Sequence, residues 1–188
     1  MSDKKKFPRS QAFNVATELA LLLKPYVEEI IVAGSLRREK PFVGDIELLY
    51  IPRIEKVKTG LFNEDTAPLN HTDNFLVSLL NAEVIEKRPN VNGQFAWGVN
   101  NKLSRHVSSG IPLDLFATTR ENWWVSLVVR TGSKETNLRL TMGAQKLGRS
   151  LIAYGCGVRE SDGNVISATS EREVFELCGV PYLEPTKR

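Results

Sequence analysis

Asp45 and Glu47 stand one residue apart in the stretch VGDIELLY, inside an otherwise apolar run. The β-branched and aromatic character of that run predicts a strand. Successive strand side chains point to opposite faces, so the two carboxylates share one face. Two like charges roughly 7 Å apart on one face repel unless something positive sits between them. Carboxylates suit a hard divalent cation such as magnesium. Asp114 has a similar setting in IPLDLFAT, between Leu113 and Leu115. If its strand neighbours the first, three carboxylates converge. Such a set can hold two metal ions about 4 Å apart for an in-line phosphoryl displacement.

A second chemical feature lies just upstream. Gly34 and Ser35 follow the β-branched run EEIIVA and precede Leu36 to Glu39, which reads as one helical turn. Backbone N–H groups at such a turn point outward and bind phosphate. Ser35 adds a hydroxyl donor, and Arg38 or Arg37 adds a charged one. Phosphates at the turn and metals on the next strand together make a nucleoside triphosphate site. The order of the pieces carries this reading: Gly-Ser, then a strand with Asp-x-Glu, then a later strand with an isolated Asp.

The surrounding elements must position these groups. Ser10 to Leu23 reads as a helix with Ala12, Val15, Leu19, Leu22 and Leu23 on one face, ended by Pro25. EEIIVAG and VGDIELLYI read as strands. A second helix is expected over Thr72 to Leu80, capped by Thr72 or Asp73. Three strands follow, AEVIEKR, FAWGVNNKLSR and IPLDLFAT, separated by NVNGQ and VSSG turns. ENWWVSLVVR predicts a helix broken at Thr131-Gly132, and Ser133 caps another that runs to about Leu147. The last forty residues change to short strands and one helix with a capping box from Ser170 to Glu173. The fold class expected is α+β: a mixed sheet with helices over residues 1–118, and a smaller α+β unit over 119–188.

The composition agrees with a globular chain. Hydrophobic residues make up 41% and charged residues 25% of 188, and the net charge is +3. That balance permits a polyanionic partner without demanding one. Cys156 and Cys178 are too few for a disulfide framework, so thiols in a reducing, cytoplasmic setting are expected. The apolar run ATELALLL is short and meets Lys24 and Pro25, which favours a globular helix over a membrane span. His71 and His106 stand in no metal-ligand spacing, and with so few histidines no Ser/His/Asp arrangement is supported. Trp123 and Trp124 are expected to pack between the two parts.

GSLRR, VGDIELL and PLDLF resemble the family X DNA polymerases, within the wider nucleotidyltransferase superfamily. RTGSKETN resembles that family's entry into the thumb, and EREVFELCGVPYLEPTKR resembles its C-terminal helix and tail. The resemblance runs from about residue 10 to 188 and implies a nucleotidyltransferase-type palm followed by a small thumb. It implies that Asp45, Glu47 and Asp114 bind two Mg²⁺ or Mn²⁺ ions, with Asp114 nearest the primer hydroxyl. Gly34, Ser35, Arg38 and Gly44 would hold the triphosphate. Thr131, Gly132 and Asn137 would contact the sugar and base of the incoming dNTP.

The sequence departs from the family pattern at several positions. Glu47 stands where an Asp is usual, Val129-Arg130 where aromatic residues are usual, and Pro112 and Thr141 where arginines are usual. About 10 residues precede the first palm helix, so no N-terminal lyase or helix-hairpin-helix region is expected. DNA contacts then fall to Lys102, Arg105, Lys134, Arg139, Lys146 and Arg149, leaving room for a protein partner that tethers DNA. A monomer acting on primer-template or gapped DNA, without a membrane, is the partner expectation. The function expected is template-directed transfer from a dNTP to a primer 3′-hydroxyl, in gap filling or DNA repair. The alternative is an untemplated nucleotidyltransferase acting on nucleic acid, protein or a small molecule. A non-catalytic DNA-end-binding module is disfavoured by the three acids.

Overall fold

The computed structural model describes residues 5–59 and 65–188. In chain order the elements are β1 (Phe7–Pro8), α1 (Arg9–Leu23), β2 (Val27–Val32), α2 (Gly34–Arg37), β3 (Phe42–Val43), β4 (Ile46–Pro52), β5 (Ile54–Thr59), β6 (Asp65–Asn70) and α3 (His71–Asn81). Then come β7 (Ile85–Lys87), β8 (Asn101–His106), β9 (Pro112–Ala117), α4 (Trp123–Thr131), α5 (Lys134–Lys146), β10 (Ser150–Leu151), β11 (Gly157–Arg159), β12 (Val165–Ser167) and α6 (Glu171–Leu177). The architecture is α+β, as the periodicities imply.

The main sheet has five strands in the order β2-β4-β9-β8-β7. Only the central β4–β9 pair is parallel, with Glu47 opposite Asp114 and Leu48 opposite Leu115. Strand β4 is apolar on both faces, because both are covered. Ile46, Leu48 and Tyr50 enter a core with Ala12, Val15, Leu19 and Leu23 of α1. Leu49 enters a different cluster with Ala33, Phe116 and Leu127 of α4. Glu47 is therefore on the face that looks toward α4. In α1 the inward stripe includes Ala16, while Leu22 is 40% exposed; the smaller residue meets the sheet and the expected Leu22 does not.

The chain after α4 has its own core, with Val125, Val128, Leu140, Ala144, Val158, Val174, Phe175 and Cys178. Trp124 packs against both this cluster and the bridging one around Leu49, and Trp123 against the latter. Ser133 and Ser170 cap α5 and α6, accepting from Thr136 N and Glu173 N. Three local expectations are corrected. Asn70 caps α3, because Thr72 is buried and its hydroxyl instead accepts from Arg53 N at 3.0 Å. The strand expected from Phe95 forms only from Asn101, residues before it making isolated bridges. Strands β5 and β6 form an antiparallel pair that the sequence reading did not anticipate. Among the described residues, no helix is long and apolar enough to cross a membrane.

Candidate active site

Asp45 is the residue before β4, Glu47 is the second residue of β4, and Asp114 lies opposite Glu47 on β9. Neighbouring strands run about 4.8 Å apart, so the register alone brings two carboxyls together. Burial pushes Glu47 up to about 7, and the charges of Asp45 and Asp114 add to the rise. Arg130 and Arg38 pull the other way. Asp114 is also raised by burial, against the opposing pull of Arg88. The charges of Asp45 and Asp114 thus act on Glu47, and that of Asp45 on Asp114.

The Gly-Ser turn is built onto the same strand. Ala33 N donates to Glu47 O at 2.8 Å. Gly34 has φ +61°, and a Cβ there would overlap Glu47 Oε2. Only glycine combines that backbone with that closeness. Ser35, in the following helical turn, is partly exposed.

The two arginines of the turn separate. Arg37 turns to the C-terminal part of the chain: its Nη1 donates to Thr131 Oγ1 at 2.6 Å and to Glu171 Oε1 at 2.8 Å. Arg38 donates from Nη1 to the Thr131 carbonyl, and its Nε is buried with no partner. Of the two, Arg38 is the one whose charge acts on Glu47.

Thr131 is fully buried and serves both arginines. Gly132, at φ +67°, brings its backbone against Arg38: a Cβ there would lie 3.1 Å from Nη1. Asn137 donates to Val129 O at 2.8 Å, while its Oδ1 is buried and unpartnered. Gly44 lines a cleft of about 560 Å³ together with Asp45, Arg88, Asn90, Arg105 and Pro112. A larger groove of about 690 Å³ runs along α1 and β2, away from the carboxylates.

Two functional candidates escaped the sequence reading. Arg130 lies 3.6 Å over the Phe116 ring, donates to Tyr154 OH at 3.3 Å, and acts on both Glu47 and Asp114. Its position beside TGS was the only signal. Arg88 pairs with Asp114 from two strands away.

The phosphate-contact candidates divide by burial. Lys102 is corrected: it is 2% exposed, with Nζ donating to Gly98 O and paired to Asp73, both at 2.9 Å. Arg149 is likewise held, by Glu160 at 3.2 Å and the Leu177 carbonyl at 3.3 Å. Arg105 is half-exposed beside Glu86, and Lys134, Arg139 and Lys146 are exposed on α5.

The three carboxylates supply the hard oxygen donors that Mg²⁺ and Mn²⁺ take. Their mutual repulsion at Glu47 is what a cation would relieve. In that chemical sense the residues fit a divalent ion. Among the described residues, no group of three acids, histidines or cysteines is drawn together closely enough to close around one. Arg88 occupies one Asp114 oxygen, and Glu47 is packed under Gly34.

Residues 126–188 match the family described as the DNA polymerase beta thumb, a stretch that includes Arg130, Thr131, Gly132 and Asn137. Over 167 residues, 84% of this chain, it is 25% identical to DNA polymerase lambda of Rattus norvegicus. It is 25% identical over 188 residues, 97% of the chain, to the DNA polymerase/3′-5′ exonuclease PolX of Bacillus subtilis. The C-terminal third thus matches a polymerase thumb, and nearly the whole chain is similar to these two DNA polymerases. It spans 28% of the length of each of them. The sheet carrying Asp45, Glu47 and Asp114 lies ahead of the matched thumb, and Arg37 and Arg38 tie that sheet to it.

Proposed function

We propose that this chain transfers a nucleotidyl group from a dNTP to a primer 3′-hydroxyl, as a polymerase of the family X type. The observation that carries the reading is the cross-strand pair of Glu47 and Asp114, roofed by Gly34, with Arg38 acting by charge on Glu47 while it donates to the Thr131 carbonyl. In this reading Ser35, Arg38 and the N–H groups of the turn hold the triphosphate. Gly132 and Asn137 receive the sugar and base, while Thr131, fully buried and committed to Arg37 and Arg38, holds those arginines in place instead of touching the nucleotide as expected. Asp45, Glu47 and Asp114 would hold two Mg²⁺ or Mn²⁺ ions, which when bound supply charge neutralisation at the phosphates. The primer oxygen bonds to the α-phosphorus, the bond to the bridging oxygen breaks, and pyrophosphate leaves. Asp114 accepts the hydroxyl proton. Pre-set donors at the turn favour the charge that builds on the leaving group. Gap filling in DNA repair is the use proposed for it.

A second reading, an untemplated nucleotidyltransferase, draws on α5. Thr141 is exposed there and returns its hydroxyl to Asn137 O at 3.0 Å, so it offers no cationic contact to a template strand. A labelled primer with each dNTP or NTP singly, with and without a gapped template, tests both. Incorporation of the complementary dNTP alone, on the gapped template, is expected. Extension without template selects the second reading. No extension in either set counts against both.

A further inference from the structure

Arg88 follows β7, and its side chain crosses the whole width of β8 to reach β9. On the way Nε donates to the Ser104 carbonyl at 3.0 Å. Nη2 then pairs with Asp114 Oδ1. Arg88 N donates to Leu103 O at 3.1 Å, which anchors the backbone as well. Both side chains are mostly buried, with exposures of 20% for Arg88 and 14% for Asp114. A guanidinium fixed at two nitrogens is a rigid fork, unlike a lysine ammonium.

We propose that Arg88 is a positioning residue for the transfer reaction, holding Asp114 by Oδ1 so that Oδ2 alone is presented to a divalent ion. The proposal rests on the transferase reading of the site. Pro112, two residues before Asp114 on the same strand, has no donor to offer; the fork comes from across the sheet instead. Asp114 is thereby kept from closing on an ion with both oxygens. The arrangement carries a cost in affinity, because a fixed positive charge beside a cation ligand weakens the cation's binding. Positioning and metal affinity are thus set against each other, and a merely structural arginine would show no such opposition.

The test compares wild type, Arg88→Ala and Arg88→Lys in two assays: Mn²⁺ titration followed by electron paramagnetic resonance, and steady-state incorporation on a gapped primer. In Arg88→Ala, Mn²⁺ should bind about 3-fold tighter or more, as expected on removing a nearby positive charge. Turnover should fall about 30-fold or more, with KM for the dNTP within about 2-fold, the pattern of a lost transition-state interaction. Arg88→Lys keeps the charge and loses the fork, so its Mn²⁺ affinity should stay near wild type while turnover drops. Unchanged turnover in Arg88→Ala overturns the proposal. Weaker Mn²⁺ binding with turnover lost in proportion also overturns it, and the same pattern in Arg88→Lys does so where the alanine variant fails to fold. If wild type incorporates nothing, the transferase reading fails by itself. Arg88 is then judged on Mn²⁺ alone: tighter binding in Arg88→Ala upholds the hold on Asp114, and unchanged or weaker binding removes it.

Discussion

Arg37 and Glu171 meet across the molecule in two hydrogen bonds of 2.8 and 2.7 Å. Arg37 belongs to the Gly-Ser turn and Glu171 opens α6, so the pair ties the turn to the last helix. Arg188 shares the same carboxylate at 2.9 Å, and its side chain is fully buried. Removing Glu171 would leave two guanidinium groups buried without a counter-charge. Glu171→Ala is expected to cost about 3 kcal/mol of stability, read by urea unfolding near neutral pH. Burial works to raise the Glu171 carboxyl, but the Arg37 and Arg188 contacts outweigh it and hold it below its ordinary 4.5. The stability it contributes is present above that value and is lost as pH falls through the lowered one. The gap between wild type and Glu171→Gln should therefore narrow in acid. A gap that widens there would contradict the assignment.

Glu47 should show the opposite sign. Its folded value, about 7, lies above the ordinary 4.5, so the protonated carboxyl is the stable one. That stability is complete below pH 4.5 and lost as pH rises through about 7. With EDTA present, Glu47→Gln is expected to be more stable than wild type at pH 8 by roughly 2–3 kcal/mol, and equal to it near pH 4.5. The same variant should incorporate no nucleotide. Parallel stability curves for the two proteins would contradict the crowding of acids at this site.

Gly34→Ala places a methyl group onto Glu47 Oε2 in a backbone conformation with φ +61°. A loss of about 1–3 kcal/mol and of most activity is expected. Shortening the acid should give room back. Gly34→Ala with Glu47→Asp should lose less stability than the sum of the single changes, a coupling that urea unfolding of the four proteins measures. Strict additivity would mean that the two residues do not press on each other.

The exposed cations of α5 predict salt behaviour. Lys134→Ala with Arg139→Ala should weaken binding to gapped DNA and flatten the plot of log affinity against log salt by about 1–2 units, read by fluorescence anisotropy. Lys102→Ala should instead lower stability, because its ammonium is committed inside the fold to Gly98 O and Asp73. A salt slope changed by Lys102→Ala alone would contradict that burial.

Glu47 and Asp114 were legible in the sequence because apolar neighbours flank each one, and the β4–β9 register sets them opposite each other; Asp45 stands just before β4, so the expected strand alternation does not fix its face. The Gly-Ser turn was legible for a similar local reason. Which arginine serves it was not, since Thr131 and Glu171, the groups that draw Arg37 away, lie far along the chain. Arg88 left no local trace, because its partner is two strands distant and strand order is not written in any one segment. Lys102 misled for a related reason. On β8 a lysine between Asn101 and Leu103 reads as exposed, and only the packing of α3, with Asp73, shows that it is enclosed.

The most direct measurement is single-turnover incorporation of one complementary dNTP into a one-nucleotide gap, comparing wild type with Asp114→Asn. Wild type should incorporate the nucleotide and the variant should lose about 10³-fold or more in rate, with gapped-DNA affinity retained, as for a group acting on the reacting atoms. Equal rates in the two proteins would contradict the claim that the Glu47–Asp114 face carries the chemistry.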